Sequence, residues 1–216
     1  MIYELFDPNG ETTVREGSNL PHWCQQGVTY FVTIRTEDSI PAATARIWRQ
    51  RRADWLLRCG VEIGKSNWMD ALARLPRQKQ QQFHETFSQE YLDALDQGRG
   101  ACLLQNGELA KIVADSLLYF DGSRYCLGDF VVMPNHLHLL VCLLDESEIE
   151  GICYSWKKYS ATRINRRSGR RGRFWQEESF DHLVRSADQL DAIRRYIAGN
   201  PRRANLPAGS YLHYRK

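Results

Sequence analysis

No two of the six cysteines, at positions 24, 59, 102, 126, 142 and 153, stand in Cys-x-x-Cys spacing. That removes a zinc knuckle and a redox pair from consideration. Several lie in apolar runs, where a reduced thiol packs as a small hydrophobe. No apolar stretch approaches the length of a membrane span, and the N-terminus lacks a basic-then-apolar signal pattern. The expectation is a cytoplasmic protein that makes no membrane contact. Internal repeats and low-complexity linkers are missing too, which leaves 216 residues for one domain of generous size. With 43% hydrophobic and 25% charged residues, the chain has the material for an ordinary core.

A strong overall charge is also lacking, but the net +3 conceals an asymmetry. Residues 151–216 hold 15 Lys/Arg against 5 Asp/Glu, whereas residues 1–150 hold 14 against 21. A basic third on an acidic remainder suggests a face that meets a polyanion, and nucleic acid is the usual one.

Local patterns divide the chain. Residues 1–20 are polar and turn-rich (Pro8-Asn9-Gly10, Glu16-Gly17-Ser18-Asn19) and read as a loosely held arm. The β-branched and aromatic run Gly27–Arg35 predicts the first strand. Helices are predicted from Pro41 to Arg58, from Arg77 to Gln97 (Phe83, Phe87, Tyr91 and Leu95 at four-residue spacing) and from Glu108 to Tyr119. Residues 60–120 thus form a mostly helical insertion. Further helices are expected from Glu148 to Asn165 and from the capping sequence Ser186–Gln189 to Gly199-Asn200-Pro201, which should end it. An extended segment covers Ser179–Arg185. This order fits an α+β fold, one antiparallel sheet covered by helices.

The run Val131–Val141 reads as one strand buried on both faces. Alternation projects His136 and His138 from the same face, and Leu137, Leu139 and Val141 from the other. Two neighbouring imidazoles on a rigid strand make a ligand pair for a divalent metal. The same pattern serves two core histidines bonded to backbone. Position 140 is leucine, which discards a His-x-His-x-His nucleotide hydrolase.

In the following helix, Tyr159 lies seven residues after Ile152 and three after Trp156, so it is expected on the sheet-facing side. A tyrosine beside a metal-bound phosphate could attack phosphorus and form a covalent link. Then come Arg163, Arg166, Arg167, Arg170, Arg171 and Arg173, six arginines in eleven residues, followed by Trp175. Guanidinium groups fork onto phosphates, and an adjacent indole can stack on an unpaired base. Two simpler readings stay open: a metal-dependent phosphodiesterase that has no use for Tyr159, and a DNA-binding protein that needs only the arginines and aromatics.

Four stretches carry a family resemblance: Pro21-His22-Trp23 with Tyr30-Phe31-Val32-Thr33; Met133–Leu139; Trp156-Lys157-Lys158-Tyr159 with Asn165; and Trp175-Gln176 through Phe180-Asp181-His182 to Tyr196–Pro201. Together they resemble the single-tyrosine HUH transposases, more narrowly the REP-associated tyrosine transposases. The resemblance implies a ferredoxin-like sheet with extra helices inserted after the first strand, spanning residues 21–206, with 163–216 as the basic DNA-binding portion. It implies Mg²⁺ or Mn²⁺ at His136 and His138, and Tyr159 attacking a phosphodiester of single-stranded, hairpin-forming DNA to give a 5′-phosphotyrosine. A monomer or a homodimer, cytoplasmic and nucleoid-associated, fits that picture. In the insertion-sequence relatives a polar residue one turn after the tyrosine often completes the metal site. Here that position is Arg163, which binds no cation. Asn165, Gln176, Glu178 and Asp181 are the candidates for the third ligand.

Overall fold

In the computed structural model, which describes residues 3–16, 21–62, 71–72, 74–144 and 147–216, the chain opens with a small hairpin. β1 (Thr13–Glu16) pairs antiparallel with β2 (Pro21–Cys24). The lead-in is fastened rather than loose. The Phe6 amide donates to the Val184 carbonyl, the Thr29 amide donates to the Glu4 carbonyl, and Tyr3 and Leu5 pack on the core. The turn expected over residues 17–19 lies outside the described residues.

β3 (Thr29–Arg35) begins the main sheet. Three helices follow it: α1 (Ala42–Arg58), α2 (Arg77–Asp96) and α3 (Gly107–Leu118). Asn106 caps α3, its side chain accepting from the amides of Glu108 and Leu109. Then come β4 (Tyr125–Val132), β5 (His136–Leu143), α4 (Ile149–Ser168), β6 (Phe180–Leu183), α5 (Ala187–Arg203) and β7 (Leu212–Tyr214). The strands order as β6-β3-β5-β4-β7, each pair antiparallel. Without the edge strand β7, that is the fourth, first, third and second strand of a split βαβ arrangement, hence ferredoxin-like. The α+β fold and the helices inserted after the first long strand agree with the sequence reading. Among the described residues no helix is long and apolar enough to cross a membrane.

The apolar run Val131–Val141 is not one strand. It is the junction of β4 and β5, and the chain reverses at Met133–His136. Pro134 has no amide to give a ladder, so a central strand cannot pass through it. The Met133 amide donates to the His136 carbonyl at 2.8 Å. The carbonyls of Pro134 and Asn135 accept from the amides of Leu104 and Thr36, at 3.0 and 2.8 Å. The turn is therefore pinned from two sides, and the histidines begin β5 instead of occupying mid-strand.

The alternation holds. Leu137, Leu139 and Val141 join one core layer with α3 and α4, which includes Val113, Leu117, Ile152 and Trp156. On the other face Leu140 meets Phe31, Val131 and the α5 residues Ile193 and Ile197. His136 and His138 point to that second face, with His138 stacked on Phe31 at 5.4 Å between ring centres. A smaller cluster of Leu56, Val61, Leu72 and Phe83 holds the inserted helices together. One further expectation fails: α5 runs through Gly199-Asn200-Pro201 to Arg203. Pro201 sits in the last turn, buried along with Asn200, and the amides of Ala204 and Leu206 take up the carbonyls of Asn200 and Pro201.

Candidate metal centre and nucleic-acid interface

The last residue of α2, Asp96, comes from the inserted helices to meet the histidine pair. One ligand atom each from Asp96, His136 and His138 lies within 4.8 Å of the other two. Neighbours fix both rings. Asn135 donates from Nδ2 to the Arg99 carbonyl at 2.8 Å, which turns its Oδ1 to His136 Nδ1 at 2.7 Å. His136 must therefore carry its proton on Nδ1, leaving Nε2 a bare lone pair. His138 Nδ1 lies 2.7 Å from Thr33 Oγ1, and its Nε2 lies 3.3 Å from the Tyr196 hydroxyl. The two rings are 4.7 Å apart at 70°. Asp96 Oδ1 accepts from Asn200 Nδ2 at 3.1 Å and lies 4.0 Å from His136 Nε2; Oδ2 faces the Arg203 guanidinium at 3.2 Å.

Burial sets the charge states. It lowers the pKa of His136 to about 3 and that of His138 well below the ordinary value, with His136 and Arg203 adding to the second shift. Burial raises Asp96, opposed by Asn200 and Arg203. A neutral imidazole with a bare lone pair is the ligand form, and His136 presents one at Nε2, from which a metal need displace no proton. His136 Nε2 is buried and has no hydrogen-bond partner. An orphaned acceptor of this kind costs about 1–3 kcal/mol, and a cation removes that cost. Two imidazoles and a carboxylate oxygen suit a divalent metal ion.

Three of the four candidates for a third ligand, Asn165, Glu178 and Asp181, are engaged elsewhere. Asn165 donates from its side chain to the Gly172 carbonyl at 2.8 Å, and the backbone amide of Gln176 donates to the Arg35 carbonyl at 2.9 Å. Glu178 acts on Arg52 and Lys157. Asp181 pairs with Val32, whose side chain belongs to the layer under α4, away from the histidines. Asp96 was missed because its helix lies 40 residues upstream and carries an unrelated aromatic stripe. One signal existed. Asp93 and Asp96 end a helix whose last turn holds no basic residue, and acids at a helix C-terminus oppose the macrodipole.

Tyr159 does not face the sheet. It is 46% exposed, with the Arg163 guanidinium stacked 5.2 Å over its ring. At about 100° per residue, Ser160 falls nearer than Tyr159 to the centre of the stripe formed by Ile149, Ile152, Trp156 and Ile164. Ser160 is the buried one, accepting from Trp175 Nε1 at 2.9 Å. The helix itself packs on the sheet face opposite to the histidines. Tyr196, which sequence reasoning did not single out, is the tyrosine whose hydroxyl touches the pair.

All six arginines are exposed. Arg163, Arg166 and Arg167 ride the last turns of α4, which extends three residues beyond expectation to a left-handed Gly169. Arg170, Arg171 and Arg173 occupy the loop after it. Arg167 pairs with Glu108 at 2.7 Å and Arg173 with Glu177 at 3.3 Å, solvent-exposed bonds that a phosphate could displace. Trp175 is a correction: it is only 4% exposed, in the main core layer, its indole committed to Ser160. It offers no surface on which a base could stack.

No curated protein matches the chain. A solved structure of a REP-associated tyrosine transposase bound to a REP hairpin resembles it with a TM-score of 0.38 and 14% identity, over 82% of this chain and 68% of that one. Residues 119–200 match the family described as Transposase IS200 like. This span holds both histidines, Tyr159, Tyr196 and Asn200, while Asp96 stands outside it. The likeness to the IS200-like transposases, read first from motifs, is thereby shown for the segment that carries the histidine pair.

Proposed function

We propose that the protein is a metal-dependent enzyme that nicks and rejoins single-stranded DNA, acting on hairpin-forming repetitive palindromes. The observation that carries this reading is the buried Asp96–His136–His138 cluster on a fold whose segment 119–200 matches a transposase family. Asp96, His136 and His138 would hold Mg²⁺ or Mn²⁺, which would polarise a scissile phosphate. The exposed arginines from 163 to 173 hold the flanking phosphates, forking onto their oxygens. Tyr159 is the attacking group. Its phenolic oxygen forms a bond to phosphorus, the bond from phosphorus to the 3′ oxygen breaks, and that oxygen takes up the phenolic proton. The products are a 5′-phosphotyrosine and a free 3′-hydroxyl, and attack by another 3′-hydroxyl rejoins the strand.

Because α4 lies on the sheet face away from the histidines, Tyr159 would meet their phosphate from a second copy, in a homodimer. A second reading rests on a specific distance: the Tyr196 hydroxyl, 3.3 Å from His138 Nε2, is already at the site and needs no partner. The test incubates 5′- and 3′-labelled hairpin oligonucleotides with Mn²⁺ and wild-type, Tyr159→Phe or Tyr196→Phe protein, followed by a denaturing gel. The expected result is label from the 3′ side of the nick on wild-type protein and none on Tyr159→Phe. Mixing Tyr159→Phe with His136→Ala should restore the adduct. Loss in Tyr196→Phe alone would transfer the role to Tyr196. Cleavage without any adduct means a phosphodiesterase, and binding without cleavage a DNA-binding protein.

A further inference from the structure

The helix α5 brings three polar residues to the metal centre, spaced four and three apart: Tyr196, Asn200 and Arg203. Two have evident tasks. Tyr196 bonds His138, and Arg203 pairs with Asp93 and Asp96 while lying over the Tyr196 ring at 5.0 Å. Asn200 is different. It is fully buried and spends Nδ2 on Asp96 Oδ1, so its carboxamide orientation is set. Its Oδ1 has no hydrogen-bond partner, and neither has His136 Nε2. The carboxamide adjoins both the His136 ring and the Tyr196 hydroxyl.

Neither acceptor can be rescued locally. Moving the His136 proton to Nε2 would set a bare Nδ1 against Asn135 Oδ1, and flipping Asn135 would then set its oxygen against the Arg99 carbonyl. Flipping Asn200 would turn its oxygen toward the Asp96 carboxylate. Two buried lone-pair donors on adjoining residues of one cluster, both locked in orientation, are an arrangement a cation satisfies and an apolar core does not. A carboxamide oxygen is an ordinary ligand for Mg²⁺ or Mn²⁺.

We infer that Asn200 is the fourth protein ligand of the metal centre, its Oδ1 binding the ion held by Asp96, His136 and His138. This rests on the metal-site reading above. A site closed by α5 couples the metal to the C-terminal helix, so an ion entering it ties together α2, β5 and α5. The neutral amide leaves the set with one carboxylate only, so part of the dication's charge stays available for a phosphate.

Binding of Mn²⁺ to metal-free protein, followed by the electron paramagnetic resonance of free Mn²⁺, tests the assignment in wild type, Asn200→Ala and Asn200→Asp. Circular dichroism checks that each variant is folded. Asn200→Ala should bind at least tenfold more weakly, and Asn200→Asp, which keeps an oxygen in place and adds a charge, at least as tightly as wild type. The increase in Tm given by a fixed excess of Mn²⁺ should shrink in Asn200→Ala and persist in Asn200→Asp. If Asn200→Ala does not fold, the comparison of Asn200→Asp with wild type decides, and weaker binding overturns the assignment. Equal binding by wild type and Asn200→Ala overturns it while leaving the three-residue metal site intact. If wild type binds no Mn²⁺, the metal reading falls and this assignment with it.

Discussion

Two imidazoles held neutral inside the sheet should make the metal-free protein unusually sensitive to mild acid. The unfolded chain protonates each histidine near 6.5, whereas burial holds His136 near 3 and His138 well below its ordinary value. Above the unfolded value both states are neutral and the pair contributes nothing. As pH falls through that value the unfolded state gains protons that the folded state refuses, and stability drops with every step toward the folded value. At pH 5 the cost is about 2 kcal/mol for His136, and His138 adds to it in the same direction. Asp96 works in the opposite direction: its raised folded value favours the folded state as pH falls, so it returns part of the loss at the acid end. Domains of this size hold about 5–15 kcal/mol in all, so the effect is measurable. The assay is urea unfolding with chelator present, from pH 8 down to pH 5. A loss of several kcal/mol is expected, and it should be largely absent in a His136→Gln, His138→Gln double variant. Equal stability at pH 8 and pH 5, or the same slope in the double variant, would refute the picture of two buried neutral rings.

Other consequences follow from packing and charge. Tyr125→Phe removes a hydroxyl that accepts from Trp156 Nε1 at 2.8 Å and donates to the Leu117 carbonyl at 2.7 Å. Two buried groups are stranded, and chemical denaturation should register about 2–3 kcal/mol; a loss under about 1 kcal/mol would mean that water replaces the hydroxyl. Gly128 stands where the register of β4 shifts, and an added Cβ would meet Leu140 Cβ at 2.9 Å and the Tyr3 hydroxyl at 2.8 Å. Gly128→Ala should cost about 1–3 kcal/mol, and Tyr3→Phe should not rescue it because the Leu140 contact remains. For hairpin binding, Arg166→Ala and Arg171→Ala should each flatten the salt dependence by about 0.7 in log–log slope, the value for one single-strand phosphate contact. Arg167→Ala and Arg173→Ala, whose groups must first leave Glu108 and Glu177, should weaken binding less. A slope that no arginine variant changes would move the DNA surface elsewhere.

What could be read without coordinates was whatever depends on local periodicity. β3, the inserted helices, the amphipathic stripe of α5 and the shared face of His136 and His138 all follow from side-chain alternation or helical spacing. Local reading failed where a single residue overrode the pattern. Pro134 cuts the longest apolar run into a hairpin because it has no amide for the ladder, yet the run around it is apolar enough to hide the break. Tyr159 fell one position to the wrong side, since three residues from Trp156 and four residues from it differ by a full 100° around the helix. Trp175 sits beside arginines in sequence but points into the core. The candidate metal centre was half legible. The histidines share one strand, whereas Asp96, Tyr196 and Asn200 arrive from α2 and α5, and only the sheet order brings those helices to one face. A buried carboxylate set by tertiary packing leaves little trace in local spacing.

We propose that Asp96 completes a divalent metal site with His136 and His138. Titrating metal-free protein with Mn²⁺ by calorimetry, in wild type, Asp96→Asn, His136→Ala and Asp181→Asn, tests it directly. One site per chain is expected in wild type and in Asp181→Asn. Asp96→Asn should bind at least tenfold more weakly, and His136→Ala should bind at least tenfold more weakly as well. Unchanged binding in Asp96→Asn, or loss of the site in Asp181→Asn, would mean that Asp96 is not a ligand.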